Sequence, residues 1–383
     1  MDADDFDEIR KAVRTFMREV VVPAEEQIEA DDKVPDAVRD QAKEMGLYGF
    51  AIPEEYGGLG LDMMQEVLLN IELGWGTPAF RSLFGTNNGI AGQVLVKAGT
   101  EEQKREWLPK LAAGSTASFA LTEPEAGSDP SSLKTTARKD GDEYVIRGGK
   151  CFITNAAMAD VLMVFARVGD LPGSKGIAVF LVETDRPGVT IAPHDVKMGQ
   201  RGAWTSDINF DDVRIPASHL IGGDESVGFP TAMRSLQQGR LTLAAFMTGV
   251  SKRILHETLA YAAEREQGGR AIADYQLVQG LIADSQTDAY ASEAMVLQAA
   301  RDWDADRDRR MAPSVVKYFC SEAVGRIADR AVQVHGGYGY MHGYAVERLY
   351  RDVRLFRIYE GTSQIQQVVI AKQALAPFRR SER

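Results

Sequence analysis

The 383-residue sequence predicts an α+β fold of three consecutive parts, the first helical, the second β and the third helical. Three observations support this prediction. Apolar residues recur at spacings of three and four up to about residue 115, which is typical of amphipathic helices. Short β-type runs separated by glycine, proline and aspartate follow up to about residue 225, and long helical periods then return. At roughly 150 residues per domain, two or three domains are expected.

The N-terminal part, residues 1–115, is predicted to consist of helices. Phe6 and Val13 lie on one face of an amphipathic pattern. Thr100 and Gln103 have the spacing of a capping box, in which each side chain bonds to a backbone N–H of the other residue. A further helix is therefore expected to begin at this point.

The middle part, residues 116–225, is predicted to be a small antiparallel β domain. Its β-type runs lie at 119–121, 144–146, 161–166 and 177–182. No helical pattern separates these runs, so the segment lacks the helices that βαβ units require.

The C-terminal part, residues 226–383, is predicted to be a bundle of long helices. Helical periods extend over 229–266, 274–303 and 313–334. Pro313 suits the first turn of the third helix, where its missing N–H is not needed. Helices of this length bury their apolar faces by packing side by side.

Composition excludes several classes of protein. Apolar residues make up 44% and charged residues 26%, which is ordinary globular usage and not that of a disordered chain or a coiled-coil rod. A net charge of -11 argues against nucleic acid as a partner, because phosphate binding needs a basic face. No apolar run reaches the ~18 residues of a membrane span. The acidic N-terminus lacks the apolar core of a secretory signal, so we expect a cytoplasmic protein.

Several common site motifs are missing from the sequence. It contains no dinucleotide-binding Gly-x-Gly-x-x-Gly motif between a strand and a helix, no Walker A loop and no Gly-x-Ser-x-Gly elbow. The histidines show no metal-ligand spacing on one helix face, so no metal is predicted. Cys151 and Cys320 lie in β-type and apolar helical runs and are interpreted as small buried residues.

Three segments have patterns that suit a bound ligand but also have plain structural interpretations. At 121–129 a β run ends in a loop of hydroxyl-bearing and small residues, which offers backbone donors or is simply a loop exit. At 151–155 an aromatic and a hydroxyl side chain face a ligand or belong to a core strand. At 333–340 a helix ends in consecutive glycines, which permit close approach of a ligand or only stop the helix.

A fourth segment, 358–366, places Glu360 just before a new helix. On one interpretation its carboxylate complements the positive end of the helix dipole. On the other, the aromatic and apolar residues before it exclude water from the carboxylate, which then acts as a base. The residue pattern alone leaves both interpretations open.

Together these four segments resemble the signatures of the acyl-CoA dehydrogenase family of flavoenzymes, and the resemblance extends over essentially the whole chain. It lies in Ala-Leu-Thr-Glu-Pro at 120–124 with Ser-Asp at 128–129, in 333–339, in Arg-Asp at 351–352 and in 359–364. The resemblance implies an N-terminal helical domain, a middle antiparallel β domain and a C-terminal four-helix bundle. It also implies FAD between the β domain and the bundle, with a neighbouring subunit of a homotetramer contributing.

The resemblance implies a reaction as well. An acyl-CoA thioester would be dehydrogenated to a trans-2-enoyl-CoA, and electrons would pass from FAD to an electron-transfer flavoprotein. Glu360 would remove the α-proton, the β-hydride would pass to N5 of FAD, and the backbone N–H of Glu360 would polarise the thioester carbonyl. Two alternatives remain open, an oxidase of the same fold that uses O₂ and a non-catalytic partner subunit.

The resemblance further implies which residues form the site. Cofactor contacts are implied for Phe119, Leu121, Thr122, Ser128, Phe152, Ile153, Thr154, Arg265, Gln267, Gln276, Gln333, Gly336, Gly337, Thr362 and Gln364. Substrate contacts are implied for Ser128, Arg240, Glu360 and Gly361, with Arg240 near the CoA moiety. The floor of the pocket is expected to be bordered by Asn87, Asn88 and Gly89.

Three positions depart from the family pattern. Phe152 stands where tryptophan is frequent, so the indole N–H is missing. Gly268 stands where the motif that crosses to a neighbouring subunit has phenylalanine, so we expect Gly268→Phe not to weaken FAD binding unless another side chain fills that space. Gly239 occupies the position that carries the base in some branches, which leaves Glu360 as the candidate.

Overall fold

The N-terminal part is helical, as the sequence predicts. The computed structural model of the protein describes residues 1–379, and all structural statements here refer to them. The N-terminal part contains seven α-helices before the first strand: α1 (Ala3–Phe16), α2 (Glu25–Asp31), α3 (Asp36–Glu44), α4 (Met63–Leu73), α5 (Pro78–Gly89), α6 (Ala91–Ala98) and α7 (Glu101–Ala112). Helix α1 buries Phe6 and Val13. The predicted capping box of Thr100 and Gln103 is confirmed at the start of α7.

The middle part is a sheet whose strands alternate only with loops. Its strands are β1 (Ala117–Ala120), β2 (Thr136–Asp140), β3 (Glu143–Thr154), β4 (Val161–Arg167), β5 (Ile177–Glu183), β6 (Val189–Ile191) and β7 (Thr205–Pro216). The order is β1-β4-β2-β3-β7-β6, and β5 pairs with β4 off this path. The four predicted runs all lie in or next to strands.

One strand pairing differs from the antiparallel arrangement that we predicted. Strands β2–β3, β3–β7, β4–β5 and β6–β7 are antiparallel. Strand β1 instead runs parallel to β4, from Ala117 opposite Val161 to Ala120 opposite Val164. Parallel neighbours need a long connection and cannot be joined by a tight turn. The connection between β1 and β4 is long enough because it contains the β2–β3 hairpin. The sequence pattern could not reveal this, because burial alternation does not encode strand direction.

The C-terminal part contains the three predicted long helices, α8 (Gly228–Glu264), α9 (Gln276–Asp304) and α10 (Ala312–His335), whose ends differ from the predicted ends by one or two residues. A small hairpin of β8 (Glu266–Gln267) and β9 (Arg270–Ala271) lies between α8 and α9, and α11 (Ala345–Val353) and α12 (Ser363–Leu375) follow α10. Helices α8, α9 and α12 all pack on α10.

Two apolar cores fix the arrangement of the three parts. The N-terminal helices share one core with the bundle, in which Phe80 and Phe84 of α5 and Phe246 of α8 are buried. A second core joins α6 and α7 to β1, β4 and β5, with Leu108 and Phe165 at 0% exposure. Because α5, α8 and the sheet are held against each other in this way, their facing surfaces enclose a cavity.

Cys151 and Cys320 are both buried, as predicted, and burial raises the pKa of the Cys320 thiol to about 12. Among residues 1–379, no helix combines the length and the apolar character needed to cross a membrane. The boundaries at 115/116 and 225/226 stay predictions. Residues 380–383 of the predicted third domain lie outside the described residues.

Candidate functional site

A cavity of about 510 Å³ lies between α5, the loops that follow β1 and β3, α8 and the segment before α12. Cavities of roughly 300–1,000 Å³ are typical of small-molecule sites. The residues predicted from the sequence that line it are Phe119, Leu121, Thr122, Ser128, Phe152, Ile153, Thr154, Arg240, Glu360 and Gly361. Segments far apart in the sequence therefore meet around one volume.

The backbone at Glu360 is held in an unusual conformation. Glu360 has φ 53°, in the left-handed region that non-glycine residues seldom adopt, and Gly361 follows with φ 92°. The side chain of Arg240 donates from Nε to the Glu360 carbonyl at 3.1 Å. Lys317, which is fully buried, donates to the Gly361 carbonyl at 2.7 Å, and Gln366 donates to both carbonyls. These bonds stabilise a turn that points the Glu360 side chain into the cavity.

The Glu360 carboxylate has no hydrogen-bond partner for Oε2 in the described part of the chain, although this atom is buried. Burial raises the pKa of the carboxyl above its ordinary value. The charges of Arg81, Lys317 and Arg240 act in the opposite direction, but burial is the largest influence. An unpartnered buried carboxylate with a raised pKa is suited to accept a proton near neutral pH.

The hydrogen bonds at the start of α12 do not involve the Glu360 carboxylate. Thr362 is the N-cap residue, and its Oγ1 accepts from the Ile365 N–H at 3.2 Å. The Glu360 carboxylate, two residues earlier, makes no hydrogen bond to an N–H of this first turn in residues 1–379. A helix dipole needs no such bond to attract a carboxylate, so both interpretations of Glu360 stay predictions.

The loop after β1 is attached to β3 by a buried ion pair. Lys150 on β3 is 0% exposed at its side chain and lies 2.7 Å from Oε1 of Glu123. Its Nζ also donates to the Leu121 carbonyl at 3.1 Å, while Glu123 accepts from the N–H groups of Lys134 and Thr135. Burial lowers the pKa of Lys150 to about 8, against the attraction of Glu123. Two walls of the cavity are thus joined to one another.

Phe152 presents a large apolar surface beside the cavity. Its side chain is 69% exposed and its φ is 57°, so the backbone turns the ring outward from the sheet. An aromatic ring in this state provides a face on which a flat ring system can stack. Ile153, next in sequence, is buried in the sheet core.

Comparison with known proteins identifies the family. Sequence models of the acyl-CoA dehydrogenase N-terminal, middle and C-terminal domains match residues 3–115, 118–213 and 226–375. The chain belongs to the acyl-CoA dehydrogenase family. Its members are FAD-dependent oxidoreductases, and so is this protein. The predicted three-part fold is thereby confirmed.

Three relatives illustrate the similarity. The probable acyl-CoA dehydrogenase YngJ of Bacillus subtilis is 40% identical over 370 residues, covering 96% of this chain and 97% of the relative. The caffeyl-CoA reductase-Etf complex subunit CarC of Acetobacterium woodii is 38% identical over 369 residues, with the same coverage. The structure of butyryl-CoA dehydrogenase from Megasphaera elsdenii superposes with a TM-score of 0.93 at 30% identity, over 98% of this chain and 100% of that one.

The residues around the cavity fit the FAD of an acyl-CoA dehydrogenase. The exposed ring of Phe152 and the polar side chains of Thr122, Ser128 and Thr154 lie along one side of the cavity. The free carboxylate of Glu360 lines the same cavity. The aromatic and polar wall suits the isoalloxazine ring of FAD. The carboxylate suits a position beside an acyl thioester.

A second set of predicted cofactor residues lies away from the cavity. Most of them are exposed in the single chain: Arg265, Gln267, Gln276, Gln333, Gly336, Gly337 and Gln364. None of these residues, nor Thr362, lines the cavity. Their role at a cofactor stays a prediction. The same holds for Arg240 near CoA, and the structure shows that it already donates to Glu360 and to Ser314.

The exception that we allowed for Gly268, a space already filled by another side chain, is met in the structure. Gly268 has φ +63°, which L-residues rarely adopt, and a Cβ there would lie 2.6 Å from the hydroxyl oxygen of Tyr275. Tyr275 donates to the Gln267 carbonyl at 2.7 Å and stacks with Arg270 at 3.9 Å from the ring centroid. The space is therefore filled by another aromatic side chain, and a larger residue at 268 would strain the hairpin.

We predict that Gly268→Ala lowers the free energy of unfolding by about 1–2 kcal/mol, the usual penalty of a left-handed alanine. Gly280 is the matched control, because it lies inside α9 with nothing within 4 Å of a Cβ. There the same substitution should stabilise by about 0.5–1 kcal/mol. Thermal unfolding of both variants measures the difference. An unchanged or raised midpoint for Gly268→Ala would contradict the prediction.

Asn87, Asn88 and Gly89, predicted at the floor of the pocket, lie away from the cavity, and other residues of α5 line it instead. Asn87 and Asn88 do not line the cavity, because both are buried and their side chains bond to backbone groups of neighbouring loops. The α5 residues that do line it lie nearer the start of the helix, among them Arg81 and Gly85. Arg81 lies three residues before the buried Phe84, on a neighbouring part of the helix surface, and this spacing alone does not show that Arg81 reaches a cavity. Lys317 carried no signal, since a lone lysine in a helix is normally exposed.

Proposed function

We propose that the protein catalyses α,β-dehydrogenation of an acyl-CoA thioester to a trans-2-enoyl-CoA, with Glu360 as the base. The observation that carries the proposal is the combination of two groups on this one residue. The carboxylate has an unpartnered buried oxygen, and the backbone N–H has no hydrogen-bond acceptor in residues 1–379. One group can accept a proton while the other donates a hydrogen bond to the same substrate.

The two groups act on the α-carbon and on the carbonyl oxygen of the same thioester. The carboxylate removes the α-proton, and the N–H group stabilises the negative charge that develops on the thioester oxygen. Losing one such donor typically reduces a rate by about 10²–10³-fold. FAD, when bound, supplies the acceptor for the hydride that leaves the β-carbon. Phe119, Thr154 and the Phe152 ring are the residues proposed to hold it at the cavity wall.

Buried hydrogen bonds position Glu360. Lys317 and Arg240 fix the carbonyls on either side of the turn, so neither the carboxylate nor the N–H needs to be ordered when substrate binds. Their positive charges also favour the enolate-like character of the transition state. Burial makes each charge more effective than it would be in water.

An electron-transfer flavoprotein is the proposed acceptor. The name of CarC, which places that relative in a complex with such a flavoprotein, supports this assignment. The same name describes a reductase, so the direction of the reaction is part of the proposal and not of the family assignment. The intact Glu360 argues against a non-catalytic partner subunit.

The proposal is tested by adding acyl-CoA thioesters to the yellow holoprotein under anaerobic conditions and recording the flavin absorbance. We expect bleaching, and we expect reoxidation by electron-transfer flavoprotein to be faster than reoxidation by O₂. Rapid turnover with O₂ alone would identify an oxidase. A protein that reduces enoyl-CoA but is not bleached by any acyl-CoA would reverse the proposed direction. A colourless protein that takes up no FAD would overturn the proposal.

We also propose a homotetramer, because Arg265, Gln267 and Gln276, three of the predicted cofactor residues that do not line the cavity of their own chain, lie together at the exposed hairpin and the start of α9. Leu277, next to Gln276, is 88% exposed, which an intersubunit contact would explain. Light scattering after size-exclusion chromatography should give a dimer or tetramer for the FAD-loaded protein. A monomer that retains FAD tightly would contradict this prediction.

A further inference from the structure

Gln200 lies in the segment between β6 and β7 and occupies a strained backbone position. Its φ is 53°, in the left-handed region that residues other than glycine seldom adopt. Glycine is close by, at Gly199 and Gly202, yet the strained position itself carries a glutamine. This residue is 4% exposed and lines the cavity. Strained positions of this kind cluster at functional sites, where the surrounding contacts sustain them.

Two hydrogen bonds attach Gln200 to Asp352 near the end of α11. The backbone N–H of Gln200 donates to Oδ1 of Asp352, and the side-chain Nε2 donates to the Asp352 carbonyl at 3.0 Å. Asp352 itself is buried. Beside this pair the two backbones touch, since a Cβ on Gly199 would lie 2.7 Å from the carbonyl carbon of Arg351. These contacts hold the segment and the helix at one separation.

On the side of the sheet, Gln200 is connected to the cavity wall proposed to hold FAD. The N–H of Ala203 donates to the Gln200 carbonyl at 3.1 Å, and β7 begins shortly afterwards at Thr205. Thr205 is the partner of Thr154 on β3, which lines the cavity together with Phe152. A short hydrogen-bonded turn therefore joins Gln200 to this wall.

On the side of the bundle, continuous turns lead from Asp352 to Glu360. Helix α11 passes into a single 3₁₀ turn over Arg354–Arg357, and the N–H of Tyr359 donates to the Leu355 carbonyl at 3.3 Å. No extended segment lies between Asp352 and Glu360 to absorb a movement of the helix. A displacement of the end of α11 is therefore passed on to the carboxylate of Glu360.

We infer that Gln200 is a positioning residue that, through Asp352, fixes the distance between the proposed FAD wall of the cavity and the carboxylate of Glu360. The inference rests on the proposed function, because it concerns the alignment of that reaction. The α-proton and the β-hydride leave adjacent carbons of one substrate, so the base and the hydride acceptor must keep one separation. A misplacement of about 1 Å in such a geometry can reduce a rate about 10²-fold.

The test variant is Gln200→Asn, because asparagine tolerates the left-handed conformation and keeps an amide. Its side chain is one methylene shorter and does not reach the Asp352 carbonyl, while the backbone N–H still donates to Oδ1. The variant should therefore retain FAD and unfold at close to the parental temperature. Under anaerobic conditions we expect the limiting rate of flavin reduction by acyl-CoA to fall at least about tenfold, with little change in the half-saturating concentration.

A substrate analogue with sulfur in place of the β-carbon separates alignment from turnover. The probe is the 3-thia analogue of the acyl-CoA that bleaches the parent fastest. It can lose its α-proton to Glu360, but it has no β-hydrogen and cannot reduce the flavin. The resulting anion beside the oxidised isoalloxazine ring gives a long-wavelength charge-transfer band, whose intensity depends on the distance between the two. In FAD-loaded Gln200→Asn saturated with the probe, we expect this band to lose much of its intensity.

Gln93→Asn is the matched control, because it removes the same kind of bond away from the cavity. Gln93 is 3% exposed, donates to the Ala51 carbonyl at 2.9 Å and does not line the cavity. This variant should lose stability and keep the parental rate and band. Gln200→Gly is the second test variant. Glycine relieves the strain at this position, so the chain should fold, and rate and band should fall at least as far as in Gln200→Asn.

The outcomes distinguish this inference from the proposed function. If the parent is bleached but Gln200→Asn and Gln200→Gly keep its rate and band, the inference is wrong and the proposed function stands. The inference is also wrong if Gln93→Asn loses rate and band to the same extent, because the effect would then follow stability alone. If no acyl-CoA bleaches the parent, the proposed function fails, and the alignment inferred for it fails as well.

Discussion

Glu360→Gln is expected to slow flavin reduction by acyl-CoA at least about 10²-fold, the lower range for loss of a positioned general base. Glutamine keeps the size of the side chain and the backbone N–H but cannot accept the α-proton. The bonds from Arg240, Lys317 and Gln366 all end on backbone carbonyls, so the turn should survive the substitution. Stopped-flow absorbance under anaerobic conditions measures the rate.

Glu322→Gln is the matched control for this experiment. Glu322 accepts from Ser363 at the start of α12 and pairs with Arg357, but it does not line the cavity. The control should reduce its flavin at close to the parental rate and bind FAD equally well. If Glu360→Gln bleached as fast as the parent, another group would be taking the proton, and the assignment of Glu360 would be wrong even though the family is right.

The pH profile provides a second readout of the same base. Glu360 acts only when it is deprotonated, and burial holds its pKa above the ordinary value. The reduction rate should therefore rise with pH through an apparent pKa higher than that of an exposed glutamate, and then level off. This rise should disappear in Glu360→Gln, because glutamine does not titrate. A parental profile that rises no later than expected for an exposed glutamate would contradict the raised pKa.

Glu123→Gln is expected to lower the free energy of unfolding by about 3–5 kcal/mol, because it leaves the Lys150 charge buried without its partner. Both side chains are almost fully buried. A glutamine oxygen could still accept from Lys150, but the amide is neutral, and its NH2 group would replace an oxygen that now accepts from the N–H of Lys134 or Thr135. The ion pair of Glu123 and Lys150 connects the loop after β1 to β3, so the variant should also lose FAD more readily. Urea unfolding and the flavin content after dialysis measure the two effects.

Glu125 provides the control in the same loop, since its carboxylate is 63% exposed and lies 3.8 Å from Lys134. Glu125→Gln should change the free energy of unfolding by less than about 1 kcal/mol, as surface ion pairs usually do. The double variant Glu123→Leu with Lys150→Met should recover much of the lost stability, because it removes both charges. Equal losses for Glu123→Gln and Glu125→Gln would show that the buried pair is not the cause.

The sequence by itself determined the three-part fold and the long helices, and it singled out the carboxylate that we propose as the base. Amphipathic spacing records which face of a helix is buried, so the ends of α8, α9 and α10 were predicted to within one or two residues. Glu360 was singled out because its motif combines a carboxylate, a following glycine and a new helix within a few residues, and its predicted role as the base came from the resemblance to the family. These features depend on neighbours along the chain, and the sequence therefore contains them.

The tertiary structure decided what no local pattern encodes. The parallel pairing of β1 with β4 depends on how distant strands meet, and the filling of the space at Gly268 by Tyr275 depends on how a hairpin folds back. The buried bond of Lys317 to Gly361 joins residues that are 44 apart in sequence, and the cavity around the unpartnered oxygen of Glu360 is lined by residues from all three parts of the chain. Whether a charge is desolvated, paired or free is set by the groups that packing brings around it, so these properties appear only in the folded chain.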